Sequence, residues 1–149
     1  LYTLKEVKTN AIYTSLHSHI LKSSVVMFLS EILATTLQEE EKNEALYSYL
    51  ETTLLWFDAD NEYANFHLLF LLKLTKYLGF YPDISKIDYN YFNLEDGSFQ
   101  IKDYGKHSIS GENLTLLKNL LGIKFDALHT IKINAQKRQS FLNMILLYF

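Results

Sequence analysis

The chain has 149 residues, 48% of them hydrophobic, with five glycines, one proline, no cysteine and a formal net charge of −3. It is long enough for one domain with a real core, and too apolar and too poor in Gly and Pro to be disordered. The negative charge excludes a nucleic-acid clamp acting through bulk charge, though it permits a local basic patch, and the lack of cysteine excludes a disulfide framework, a thiolate zinc site and a thiol nucleophile.

The chain opens on "LYTLKEVK", with no initiator Met, signal peptide or twin-Arg motif, and ends on "FLNMILLYF" in mid-pattern. Both ends read as cuts in a longer protein. A short helix is predicted over about 10–17, and a longer one over 18–38 with Val25, Phe28, Leu29, Ile32, Leu33 and Leu37 at helical spacing. The run "QEEEKNEA" (38–45) is a polar junction. The next helix is predicted over about 43–57, with Leu46, Tyr47, Leu50, Leu54 and Phe57 on one face. "DADNEYA" (58–64) follows as a turn, in which Asp60 or Asn61 can cap a central helix.

That helix, over 62–79, is the most apolar part of the chain. Its uninterrupted apolar run, Leu68 to Leu72, is far shorter than the roughly 18 residues of a membrane span. On a helical wheel Glu62, Asn65, Leu69, Lys73 and Lys76 share a narrow arc, which predicts one thin wet stripe on an otherwise buried helix. Gly79 is a natural residue just past the helix end, and Tyr81-Pro82 cannot continue it. Beyond Pro82, a Glu95-Asp96-Gly97 turn between "YNYFNL" and "SFQI" predicts a small β-hairpin near 90–102. Two helices follow. One runs over about 112–121 after a Ser110 cap, with Leu114, Leu117, Leu120 and Leu121 inward; the other starts at Asn134, with Leu142, Ile145, Leu146 and Phe149 inward. "IKFDALHTIKI" between them is ambiguous and accommodates one helical turn. The expected fold class is mainly all-α: a single-domain helical bundle with one hairpin insertion.

Residue types offer little chemistry. The histidines are at 17, 19, 67, 107 and 129. His17 and His19 would sit on opposite sides of a helix and make a poor chelate. His67 lies on an apolar helix, where a buried, hydrogen-bonded ring outweighs a metal ligand. Glu39, Glu40 and Glu41 form a solvated run. Asp58 and Asp60 are cap and turn residues with no sign of the opposed burial that a matched acid and base require. No GxxxxGK, GxGxxG, GxSxG or HExxH motif occurs. This favours a binding module over an enzyme, with no metal and no cofactor. Tyr77, Phe80, Tyr81, Tyr89, Tyr91, Phe92 and Phe99 gather around the helix end and the hairpin. They suit a stacking platform for single-stranded nucleic acid, but with so few lysines nearby, packing of the hairpin is the better reading.

"FLSEIL" (28–33), "ANFHLLFLLKLTKYLGFYPD" (64–83), "YFNLEDGSF" (91–99) and "KRQSFLNMILLYF" (137–149) together resemble the C-terminal helical part of the RecO family of bacterial recombinational DNA repair proteins, in the form found in Bacteroidetes. The resemblance covers essentially the whole chain. It implies a cytoplasmic, nucleoid-associated mediator that works with RecR and sometimes RecF, displaces single-strand binding protein, helps load RecA and anneals complementary strands. It also implies an N-terminal OB-fold domain, expected to lie outside this stretch of sequence, and in many members a four-cysteine zinc site. "YPDISKIDYNYFNLEDGSFQ" stands in that place without a cysteine, so aromatic packing and the hairpin are expected to take over its structural role. The family usually continues past the position of Phe149.

The resemblance further implies a partner. The helical part of RecO receives the C-terminal tail of single-strand binding protein, which is acidic and ends in an apolar residue with a free carboxylate. Such a tail needs an apolar slot rimmed by cations. Lys22, Lys73, Lys76, Lys137 and Arg138 are the helix-borne cations available, and Arg138, the only arginine, is the one able to grip a carboxylate bidentately. Each of them can equally be a solvated helix cation. Single- and double-stranded DNA are partners of the full-length protein, bound weakly by this fragment, and no membrane is involved. The other reading left standing is an enzyme or regulatory domain on a helical bundle, with a polar site around His67 and the tyrosines.

Overall fold

A computed structural model of the chain describes residues 20–36, 43–59 and 64–149. The predicted helix over 10–17, the His17/His19 pair, the glutamate run and the Asp60 or Asn61 cap lie outside the described residues. The chain divides into two compact units, Leu1–His67 and Leu68–Phe149.

In the first unit, α1 (Ile20–Thr36) buries Val26, Leu29 and Leu33. Lys22 lies on the same stripe, one turn earlier, and is itself buried. The predicted Val25, Phe28 and Ile32 sit beside that stripe, half-buried. The second helix, α2 (Glu44–Ala59), buries Leu46, Leu50, Leu54 and Phe57 as expected. Asn43 starts it, its side-chain oxygen accepting from the Leu46 N–H at 3.0 Å. The Phe57 ring stacks on Phe66 with centroids 3.9 Å apart, and Trp56 lies parallel to Phe66 at 6.1 Å.

Phe66 opens α3 (Phe66–Leu78), so this helix starts later than Glu62. The division between the units falls within it. Leu68 through Leu72, Leu74 and Thr75 are all buried. The expected wet stripe is not there: Asn65 and Leu69 are buried, Lys73 is half-buried, and only Lys76 of the described stripe residues is exposed. The stop at Gly79 is as expected. With φ at +95°, Gly79 lets both its own N–H and that of Phe80 reach the Thr75 carbonyl, at 3.0 and 2.9 Å.

The second unit continues through a 3₁₀ turn at Ile84–Lys86, capped by the Asp83 side chain, which accepts from the Ser85 N–H at 3.0 Å. Three antiparallel strands follow, β1 (Tyr91–Asn93), β2 (Ser98–Gln100) and β3 (Ser108–Ile109), in the order β2-β1-β3. The predicted hairpin is β1–β2, with Phe92 opposite Phe99. The third strand was not expected, because two residues carry no alternation to read; it pairs Ile109 with Phe92 and Ser108 with Asn93. Then α4 (Gly111–Leu120) buries Leu114, Leu117 and Leu120, leaving Leu121 half-buried at its end. Ser110 stands at the cap position, but its hydroxyl makes no capping bond. The ambiguous segment is a 3₁₀ helix, Phe125–Thr130, that buries Leu128. Asn134 caps α5 (Ala135–Tyr148), accepting from the Lys137 N–H at 2.8 Å. The inward face of α5 is Phe141, Met144 and Ile145, so the expected face is rotated: Leu142, Leu146 and Phe149 are only half-buried. The protein is thus mostly helical with a small antiparallel sheet. No described helix is long and apolar enough to cross a membrane.

Candidate functional site

The second unit carries a groove of about 520 Å³ between α4, the start of α5, Thr130 at the end of the 3₁₀ helix and the extended stretch 131–133. A side-chain hydrogen bond between Asn113 Nδ2 and Ser140 Oγ, 3.1 Å, ties α4 to α5 beside it. Leu116, Ile131 and Ile133 give the groove half-buried apolar surface, while Glu112, Lys132 and Lys137 bring exposed charge. Lys137 Nζ lies 3.9 Å from Glu112 Oε1. Next to Lys137, Arg138 donates from Nη2 to the Ile133 carbonyl at 3.1 Å, which holds the extended wall against the first turn of α5. In sequence, the stretch from Gly111 to Phe149 that supplies the groove is basic: Lys118, Lys124, Lys132, Lys137 and Arg138 against Glu112 and Asp126. An apolar trough with cations at its edge suits a short segment that is apolar at one point and anionic beside it.

The five cations singled out in the sequence have different surroundings. Lys137 alone among them lines the groove, and Arg138 braces its wall. Lys22, 3% exposed, donates from Nζ to the Asp58 carbonyl at 3.1 Å and lies 5.5 Å from the Phe57 ring centroid. It places a positive charge at the C-terminal end of α2, where the helix dipole favours one. Lys73 lies 5.9 Å from the Phe125 ring centroid, and its burial, with the nearby Lys76 charge, holds its ammonium below the usual lysine range. Lys76 is exposed in the last turn of α3. Lys132 was missed in the sequence. Its signal was the alternation Ile131-Lys132-Ile133 directly before a helix cap, which marks a short extended segment.

The aromatics pack, and packing is how most of them are spent. Phe92 and Phe99 are buried with centroids 4.9 Å apart, and Tyr148 of α5 lies edge-on to Phe80 and Phe92 at 5.4 and 5.6 Å. Phe149 meets Phe80 at 5.3 Å. The Tyr148 hydroxyl donates to the Phe80 carbonyl. Burial, with the Asp96 carboxylate nearby, pushes its phenol up to about 12. Tyr89 and the exposed Tyr104 flank a second groove of about 390 Å³, but its charged residues, Asp83 and Lys86, offset each other. His67 meets Phe28 edge-on at 6.2 Å, and His107 Nε2, just before β3, lies 3.1 Å from Glu95 Oε1 in the β1–β2 turn. Asp58 is buried within the last turn of α2. Among the described residues no group of three or more His, Cys, Asp or Glu side chains is placed to hold a metal ion.

A family model described as "Recombination protein O C terminal" matches residues 17–149. The chain belongs to the RecO family. Its curated relatives include DNA repair protein RecO of Christiangramia forsetii, 49% identical over 98% of this chain and 61% of that protein. The RecO of Flavobacterium johnsoniae is 43% identical over 100% of this chain and 62% of its own, and that of Bacteroides fragilis 32% identical over 100% and 63%. The chain therefore spans less than two thirds of the length of these RecO proteins. No solved structure matches it. Membership accords with the four segments that carried the resemblance, and these relatives are named as DNA repair proteins.

Proposed function

We propose that this RecO domain is a non-catalytic docking domain of a recombinational repair mediator, and that its groove receives the acidic, apolar-ended C-terminal tail of single-strand binding protein. The observation that supports it most is the pairing of Leu116, Ile131 and Ile133 with Lys132 and Lys137 in one groove. The apolar end of the tail supplies most of the affinity by burial, at about 25 cal/mol per Å² before ordering costs. Its carboxylates steer the tail to the basic edge, so affinity falls as salt rises. On this reading the domain acts by holding, within a cytoplasmic, nucleoid-associated protein that also engages RecR and single- and double-stranded DNA, assists RecA loading and anneals strands.

Fluorescence anisotropy of a labelled peptide, several aspartates followed by a free phenylalanine carboxylate, tests the groove. A control peptide lacking the phenylalanine is expected to bind much more weakly, and equal binding of the two removes the apolar slot. Charge reversal at Lys132, Lys137 or Arg138 is expected to weaken binding by more than about 1 kcal/mol, beyond the usual worth of an exposed pair. Arg138→Glu acts twice, since it also releases the Ile133 carbonyl. Reversal of Lys76, which does not line the groove, serves as the reference. If Lys76→Glu weakens binding and the groove variants do not, the tail sits elsewhere.

A further inference from the structure

We infer that Glu112 is a built-in competitor for the groove: its carboxylate occupies Lys137, and an incoming acidic ligand must take that ammonium over. The inference rests on the docking reading above. The tie between Asn113 and Ser140 fixes the approach, because Glu112 precedes Asn113 on α4 and Lys137 lies one turn before Ser140 on α5. That register sets the carboxylate 3.9 Å from the ammonium across the groove edge. Both side chains are well exposed, 77% for Glu112 and 47% for Lys137, so the pair is weak and readily exchanged. Lys132, the other lining cation, makes no ion pair among the described residues and is the one an acidic chain meets without competition.

Exchange has a physical signature. A ligand that takes Lys137 from Glu112 breaks one ion pair as it makes another, so the net gain in ionic contacts is smaller than the contact list of the complex suggests. Affinity is held down, and its dependence on salt is flattened, because both pairs are screened together. With Glu112 neutral, the same ligand gains the contact outright.

The test is a double-mutant cycle on the whole 149-residue chain, read by anisotropy of the aspartate-rich peptide ending in a phenylalanine carboxylate, over a salt series. Glu112→Gln is expected to tighten binding by about threefold to fivefold, the most an exposed pair is worth, and to steepen the loss of affinity with salt. Lys137→Gln is expected to weaken binding, and in its background Glu112→Gln should change nothing. Asp126→Asn, which removes another exposed acid from the same basic stretch, should leave affinity as it was. Glu112→Gln without effect while Lys137→Gln weakens binding would overturn the competitor role and leave the groove standing. No effect from either would overturn the docking reading as well. Equal tightening from Glu112→Gln with and without Lys137, or from Asp126→Asn, would reduce Glu112 to a general charge and overturn the inference. Circular dichroism of each variant checks that the helices are intact.

Discussion

At the scale of single residues, Tyr148 joins α5 to the sheet and to the chain just past α3. Its ring touches Phe80 and Phe92, and its hydroxyl donates to the Phe80 carbonyl beyond the end of α3. Half-burial and the Asp96 charge both favour the protonated phenol and push it up to about 12. A raised value means that the folded state holds this proton more tightly than the unfolded chain. The associated stability is complete below the ordinary tyrosine range, about pH 10, and is lost as pH climbs through about 12. Tyr81, raised by burial, moves with the same sign, and Lys73, lowered by burial, with the opposite one. Both are present with and without Tyr148, so a comparison isolates it. Tyr148→Phe is expected to cost about 1 kcal/mol near neutral pH, the usual worth of one hydrogen bond. It should also lose less stability than the parent on alkalinisation. Urea midpoints near pH 7 and at two points above pH 10 decide it: parallel alkaline losses in the two proteins would assign the transition to another group.

At the scale of elements, the β1–β2 turn is built to let Tyr148 in. Asn93 accepts from the Glu95 and Asp96 N–H groups, Asp96 accepts from Ser98, and Gly97 follows with φ at +67°. A Cβ at Gly97 would stand 2.6 Å from the Tyr148 hydroxyl oxygen, whereas one at Gly79 would meet nothing within 4 Å. Gly79→Ala should therefore cost only the left-handed backbone penalty, about 1–2 kcal/mol. Gly97→Ala should cost that and also expel Tyr148 from Phe80, for a total of about 3 kcal/mol or more, read as the larger drop in Tm. This turn was legible, since an Asn, an Asp and a Gly at fixed offsets between two apolar runs have few other uses. The face of α5 was also legible and was misread. Gln136, Gln139 and Asn143 mark its wet side, where Gln139 and Asn143 are joined by a hydrogen bond, and the opposite side is Phe141, Met144 and Ile145. Lys22, offered as a rim cation, is buried for a related reason: it falls on the Val26-Leu29-Leu33 stripe, whereas a lysine invites a surface reading. The groove could not be read at all. It joins Glu112 and Leu116 to Ile131, Lys132 and Lys137, residues that share no local period and are brought together by tertiary contacts such as the Asn113–Ser140 and Arg138–Ile133 hydrogen bonds.

At the scale of the molecule, the formal charge of −3 is unevenly distributed, and that distribution sets what the chain can do with DNA. From Asp83 to His107 the acids Asp83, Asp88, Glu95, Asp96 and Asp103 outnumber Lys86, Lys102 and Lys106. From Gly111 onward the balance reverses, but the reversed patch is small. Lys118 donates to the Tyr89 carbonyl at 2.9 Å, Arg138 to that of Ile133, and Lys137 is shared with Glu112. Lys132 and Lys137 line the groove and Arg138 stands at its wall, so even with the Lys137 pair exchanged about three cations are the most that one single strand can collect there. Each phosphate contact on a single strand contributes about −0.7 to the slope of log K against log salt, so the expected slope is near −2, with dissociation constants above micromolar at physiological salt. Because the same lysines would meet the carboxylates of a protein tail, the two anions should exclude each other. The acidic peptide should displace a labelled oligothymidylate, and Lys132→Glu should weaken both ligands together. Binding of the oligonucleotide in the nanomolar range at physiological salt, or a ternary complex with the peptide, would mean that DNA is held by a different and larger basic surface.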